Sequence, residues 1–395
     1  MNLMFEDFNE RRNLINCDEM TKGGQPRFQV SPMINTMCRM KFQSDLIEHT
    51  DDNYLIATGV NGSIANWAKG SFLSEKSMFD YLSDNYLKKL RDGTAMFLVD
   101  FSLEGYHVDW LFDWFHAEAK RLHIPDQCIV YVTGNMLIAE QYEEYADMRG
   151  IEDRIKCIPY AGFEEFISVQ RSKSRQFTID EDILFKEQNK TWTFNCPQKR
   201  ARKHRVEFFD KMVKNGLVSK GLCSFPERGI YILGEEHNKD TGYYIGRTHP
   251  EYCLKTFVTV VSEPQYYEEE LSTFTSEKVF KPIAMGHPFI VLGGQRSLEM
   301  LKNRGYKTFS DYWDESYDTL PDNQRMDAII EILKYIDSID DKVAWYKSLR
   351  PVLEHNLDQF KENCSKEDIA ITELRNYYQE YFYDHKIHQL EYFYD

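Results

Sequence analysis

Between residues 54 and 158 the chain alternates short apolar runs with longer stretches of helical period, the pattern of a parallel sheet covered on both faces. YLIATG (54–59) and AMFLVDF (95–101) are continuous apolar runs of strand length, and CIVYV (128–132) and a short run at 155–158 are two more. Within 75–91, Met78, Phe79, Leu82, Tyr86, Leu87 and Leu90 recur at the spacing of one helix face. Further helices are expected over 108–122 and from beyond Asn135 to Met148.

A second series of the same kind follows a polar, mixed-charge stretch at 170–190, which reads as the crossing between two lobes. Strands are expected at 191–195, 229–233, 257–262 (FVTVVS) and 289–293 (FIVLG). Helices are expected at 202–215, at 276–285 despite Pro282, and at 297–303, 326–336 and 343–360. The fold class is therefore α/β, with one Rossmann-like lobe over 1–175 and a second over 176–365. The tail, 366–395, is rich in tyrosine and phenylalanine, and reads as a final helix packing its aromatics on the body or as an interaction tail.

A length of 395 residues suits two such domains, and 42% hydrophobic residues suffice for two cores. The longest apolar runs fall far short of the roughly 18–20 residues of a spanning helix. The start, MNLMFEDFNERRN, has no basic segment followed by an apolar one, so no secretory signal is expected. The eight cysteines form no CxxC pair, which speaks against zinc and for buried packing thiols in a reducing cytoplasm. A net charge of −16 argues against coating nucleic acid with the whole surface, while leaving room for a local basic pocket.

Three segments carry chemistry. In FTSEKVFKPIAMGHPFIVLGG (274–294) a polar turn opens a helix, and a glycine turn then leads into an apolar strand. Thr275 or Ser276 can cap that helix, whose positive N-terminal end suits a diphosphate. Glu277 and Lys278 lie in its first turn, where a carboxylate can accept ribose hydroxyls and an ammonium can meet phosphate charge. Upstream, TFNCPQKRARKHRVEFFD (193–210) places Arg202, His204 and Arg205 at a helix start, and a planar guanidinium can hold two phosphate oxygens at once. The strand at 257–262 runs into Glu263.

These segments resemble the donor site of α-1,3-fucosyltransferases and related viral and bacterial sugar transferases. The Ser276-Glu277-Lys278 triplet followed by Gly286, Pro288 and Gly293 matches that family's pattern, as does Arg205 with Phe208, Phe209 and Asp210. The flank GYKTFSDYWDESYD (305–318) is similar to segments of viral members. Where the family has Phe-Glu-Asn, this chain has Ser262-Glu263-Pro264. The resemblance covers 191–318. It implies a GT-B architecture, with two Rossmann-like lobes and parallel sheets facing a central cleft. It also implies an inverting glycosyltransferase that moves a hexosyl or deoxyhexosyl group from a nucleotide-diphosphate sugar, GDP- or UDP-linked, to a glycan or other hydroxyl acceptor. Donor-binding residues on this reading are Arg205, Ser276, Glu277, Lys278, Thr275, Arg202 and Glu263.

The acceptor lobe should supply a base to take the acceptor's proton. Ligands of open α/β sheets bind beyond the carboxyl ends of strands, which singles out Glu104 and Asp100, with Asn61 after the first strand. Asp180-Glu181-Asp182 has the letters of a metal-binding triplet but no apolar strand before it, so no protein-bound metal or other cofactor is expected. Two readings stand beside the transferase. One is a nucleotide-binding module without turnover. The other is a nucleic-acid binder or modifier using the basic cluster at 199–205, which is otherwise a solvated face.

Overall fold

The computed structural model describes residues 2–3, 27–29, 54–61, 77–82, 84–108, 110–173, 190–230, 250–365 and 368–391. Most of the expected crossing, the Asp180-Glu181-Asp182 triplet, residues 231–233, the start of the 75–91 helix and the last tail residues lie outside the described residues. The chain divides into two compact units, Met1–Gly162 with Glu367–Asp395, and Phe163–Lys366.

In the first unit, β1 (Asn2–Leu3), β2 (Arg27–Gln29) and β3 (Tyr54–Asn61) precede α1 (Asp84–Arg91). There follow β4 (Ala95–Phe101), α2 (Leu111–Leu122), β5 (Ile129–Thr133), α3 (Ile138–Arg149) and β6 (Lys156–Pro159). The strands lie in the order β1-β3-β4-β5-β6, all parallel, and β2 runs antiparallel to β3. β4 is buried along its whole length, as its unbroken apolar run requires of a strand covered on both faces. The expected helix over 75–91 is two pieces. Ser77 and Asp80 form a capping box on a single 3-10 turn, and Leu82 is extended before α1 begins.

The second unit opens in α4 (Gly162–Lys173), whose first turn enters a buried cluster. Glu164 accepts hydrogen bonds from Arg304, from the Tyr306 hydroxyl and from Asn363 Nδ2. Next come β7 (Trp192–Pro197), α5 (Lys203–Lys214), β8 (Gly221–Ser224), α6 (Pro250–Lys255), β9 (Thr256–Ser262), α7 (Glu277–Ala284) and β10 (Phe289–Leu292). After them stand α8 (Ser297–Asn303), α9 (Asp322–Ser338), α10 (Lys342–Ser348) and α11 (Arg350–Asn363). The sheet is parallel throughout, in the order β10-β9-β7-β8. The chain thus turns outward from β7 in opposite directions, to β8 on one side and to β9 and β10 on the other. The carboxyl ends of β7 and β9 are a topological switch point, where open α/β sheets leave a crevice.

Two local expectations are corrected here. Ile230 makes only a bridge to Phe225, in place of the start of a strand at 229–233. β8 takes that part in the sheet, with Gly221 lying so close to the Phe194 ring that a Cβ would come within 2.6 Å of it. The helix expected over 343–360 breaks at Leu349, and Pro351 sits in the first turn of α11, where no intrahelical N–H is needed.

The last helix, α12 (Ile369–Glu391), returns to the first unit. Its Ala370, Ile371, Leu374, Tyr378, Tyr381 and Phe382 join that unit's core, the helix packing against β6. No described helix is long and apolar enough to cross a membrane. Cys128, Cys157, Cys196, Cys223 and Cys253 are buried free thiols.

Candidate functional site

β7 is pinned to β9 from its interior. Asn195 is buried, and its Nδ2 donates to the hydroxyls of Thr256 and Thr259, each at 2.8 Å. Beyond β7, Arg202 is the N-cap of α5, and its Nη1 donates to the Pro264 carbonyl at 3.0 Å. One turn in, the buried Arg205 reaches the carboxyl end of β9. Nε donates to Ser262 Oγ at 3.2 Å, and Nη2 donates to the carbonyls of Ser262 at 3.0 Å and Glu263 at 3.4 Å. Its Nη1 takes no partner among the described residues. His204 donates from Nε2 to the Glu263 carbonyl at 3.0 Å and stacks on Tyr266 at 5.4 Å. The basic cluster is therefore divided. Arg202, His204 and Arg205 are committed to the end of β9, while Lys199, Arg200 and Lys203 remain at the surface.

Glu263 is the residue on which these elements meet. It is 1% exposed, its N–H donates to Leu292 on β10, and its carboxylate receives the Ser276 N–H at 3.2 Å together with the Ser276 hydroxyl. Ser276 is the N-cap of α7, its Oγ accepting from Lys278 N at 3.3 Å and from Lys278 Nζ at 3.1 Å. Lys278 Nζ also donates to Glu277 Oε1 at 2.9 Å. Arg205, Glu263, Ser276, Lys278 and Glu277 thus form one continuous chain of contacts, from the switch point to the start of α7. Thr275, the residue before the cap, is buried, and its hydroxyl has no hydrogen-bond partner among the described residues. Gly294, at the end of the segment, passes so close to the Ser272 carbonyl that a Cβ would stand 2.9 Å from it.

The charges respond to this burial. Desolvation raises the Glu263 carboxyl from 4.5 to about 7, against the pull of Lys278 and the Ser276 hydrogen bonds. Burial also acts to raise Glu277, but the ammonium groups of Lys278 and Lys281 outweigh it and hold that carboxylate below its usual range. Burial pushes Lys281 down to about 8, with Glu277 opposing. His204 is lowered to about 3 by burial and by Arg205, so it is neutral. Arg205 itself is lowered by burial and by Arg202.

In the first unit, Asp100 and Glu104 stand at the carboxyl end of β4. Asp100 is fully buried, and its Oδ1 accepts from Ser102 N at 2.9 Å. Glu104 is half-buried in the following loop, where its carbonyl accepts from Gly134 N at 2.9 Å and so ties the ends of β4 and β5 together. Asn61 ends β3, paired with Arg27 of β2. Among the described residues no cluster of His, Cys, Asp and Glu is placed to hold a metal ion.

Sequence reasoning passed over Lys281 and Gln265. Lys281 lies one turn beyond Glu277 on α7, and helical spacing could have revealed it. Gln265, buried two residues past Glu263, carried no signal in the sequence.

No family model matches this chain, and no curated protein does. Among solved structures, it is similar to an alpha,alpha-trehalose 6-phosphate synthase from Burkholderia multivorans, at 12% identity and a TM-score of 0.37, over 91% of this chain and 75% of that one. It is also similar to an alpha,alpha-trehalose-phosphate synthase (UDP-forming) from Burkholderia vietnamiensis, at 12% identity and a TM-score of 0.38, over 89% and 76% of the two chains. The functional reading rests on the site itself.

Proposed function

We propose that this chain is a GT-B-type glycosyltransferase, moving a sugar from a nucleotide-diphosphate sugar to a hydroxyl acceptor, with the donor held at the start of α7. What carries the reading is the chain of contacts from Arg205 through Glu263 and Ser276 to Lys278 and Glu277, at the switch point of a parallel sheet. The donor's diphosphate lies against the first turn of α7, whose N–H groups lack intrahelical acceptors and whose dipole favours anions. Lys278 and the unused Nη1 of Arg205 meet the charge that grows on the leaving diphosphate. Fixed cations can do that work without a metal. Glu277, kept ionised by Lys278 and Lys281, accepts the ribose hydroxyls. Glu263 holds the cap in place and does not itself meet the donor.

The acceptor side belongs to the first unit on this reading. Of its two carboxylates Glu104 is carried forward as the base, because Asp100 has no exposed surface and is spent on Ser102 N. As the acceptor oxygen bonds to the anomeric carbon, Glu104 takes its proton, and the bond from that carbon to the diphosphate oxygen breaks. Inversion follows from the family resemblance, with a GDP- or UDP-sugar as donor and a glycan as acceptor class.

A thermal-shift panel of GDP, UDP, ADP, CDP and TDP tests the donor site, since a ligand that binds only the native state raises Tm. One nucleotide should stand out, and Glu277→Ala and Lys278→Ala should abolish its shift while remaining folded. No shift with any nucleotide would remove the reading. Nucleotide binding without turnover of any nucleotide sugar would leave a non-catalytic binding module.

A further inference from the structure

Gln265 follows Glu263 by two residues and is 1% exposed, yet neither its Oε1 nor its Nε2 has a hydrogen-bond partner among the described residues. Its position is fixed from both sides. The Pro264 carbonyl accepts from Arg202 Nη1, and the Tyr266 N–H donates to Glu270 Oε2. Across the Glu263–Ser276 link, the Thr275 hydroxyl is likewise buried and without a partner. Buried polar groups are nearly always hydrogen-bonded, since an unmet donor or acceptor loses its hydration with nothing in return. Two such groups, from separate segments, flank the same hydrogen-bonded junction.

We propose that the Gln265 carboxamide is a recognition group of the donor site, pairing with a neighbouring donor and acceptor on the nucleotide sugar. This rests on the donor site proposed above and extends it from the phosphates to the part of the donor that sets specificity. A carboxamide offers one acceptor and two N–H donors, in a plane. It complements any ligand edge that carries an N–H or O–H next to an acceptor. Two parts of a nucleotide sugar have that chemistry, the hydrogen-bonding edge of the base and the vicinal hydroxyls of the sugar. A site that presents such a group rejects a ligand lacking the match, because the amide is then left unpaired.

Gln265→Met keeps the volume and removes both polar atoms. Wild type and variant are titrated calorimetrically with UDP, GDP, UDP-glucose and GDP-fucose, and the empty proteins are melted in parallel. The expected result is an affinity loss of about tenfold for the preferred ligand, with a Tm of the empty variant no lower than that of wild type. A loss shared by the bare nucleotide assigns the amide to the base edge. A loss confined to the nucleotide sugar assigns it to the sugar hydroxyls. Unchanged affinities, or a lower Tm of the empty variant, would overturn the inference and make Gln265 a structural residue. If wild type binds none of the four ligands, the donor site falls first, and this proposal with it. Thr275→Val, read the same way, gives an independent second arm.

Discussion

Glu263 and Ser276, 13 residues apart, are joined by two hydrogen bonds, the Ser276 N–H and hydroxyl both donating to the Glu263 carboxylate. The end of β9 thereby caps α7, and the Ser276 oxygen is shared with Lys278. Strand end, cap and first-turn lysine act as one hydrogen-bonded unit, so displacing any of them moves the others.

That arrangement predicts a pH dependence. The Glu263 carboxyl is raised to about 7 by burial, so between pH 4.5 and 7 the folded protein keeps a proton that the unfolded chain has lost. The contribution is full below pH 4.5 and is lost as pH rises through 7, about 3 kcal/mol in all. Urea unfolding at pH 5, 6, 7 and 8 should show wild type losing stability relative to Glu263→Gln along that series. Parallel curves for the two proteins would contradict it.

His204 should work in the opposite direction. Lowered to about 3 by burial and Arg205, it stays neutral in the fold while the unfolded chain takes up a proton below pH 6.5. Its contribution is present above pH 6.5 and falls by about 1.4 kcal/mol per unit as the solution is acidified. His204→Gln, which can still donate to the Glu263 carbonyl, should flatten the acid limb between pH 6.5 and 4.5. A limb as steep as that of wild type would refute the assignment.

Arg205→Lys tests the guanidinium as a brace. One ammonium cannot reproduce the directed bonds to Ser262 Oγ and to the carbonyls of Ser262 and Glu263. A loss of about 1–3 kcal/mol in chemical denaturation is expected, with weaker nucleotide binding in the protein that remains folded. Stability equal to that of wild type would mean those bonds contribute nothing net.

Asn195→Leu removes both links from β7 to the β9 threonines and leaves the Thr259 hydroxyl without its amide donor. The expected cost is about 1–3 kcal/mol, read as a lower urea midpoint at unchanged slope. Since the switch point is built on that strand pair, the nucleotide-dependent thermal shift should shrink as well. A variant with both values intact would place the support for the site elsewhere.

Gly294→Ala drives a methyl to within 2.9 Å of the Ser272 carbonyl, a backbone atom that cannot step aside cheaply. Overpacking of this kind costs about 1–3 kcal/mol, and differential scanning calorimetry should show the drop. An unaltered melting profile would mean that the 272–294 loop yields easily.

Much of this was legible in the chain because the signals were local. β9 announced itself by a run of branched residues, and the start of α7 by a serine before an acidic-basic pair and an apolar face. β8 was not, since GLCS has little strand character and takes its place because Gly221 fits against the Phe194 ring. α4 extends into residues whose polarity suggested a linker, held by a Glu164 cluster whose partners lie far along the sequence. The site divides the same way. Arg205, Glu277 and Lys278 could be named from spacing, whereas the role of Glu263 depends on a cap 13 residues downstream. The isolation of the Gln265 amide is visible only once the chain has folded around it.

The return of α12 to the first unit has a consequence for biosynthesis. A ribosome emits the first sheet before the second unit, but the hydrophobic seat for Ile371, Leu374 and Phe382 stays vacant until the whole of that second unit has been made. The contiguous second unit can close before then, reversing the usual order in which domains mature from the leading end. The nascent first sheet must wait with part of its apolar surface bare, a window in which chaperones would find it.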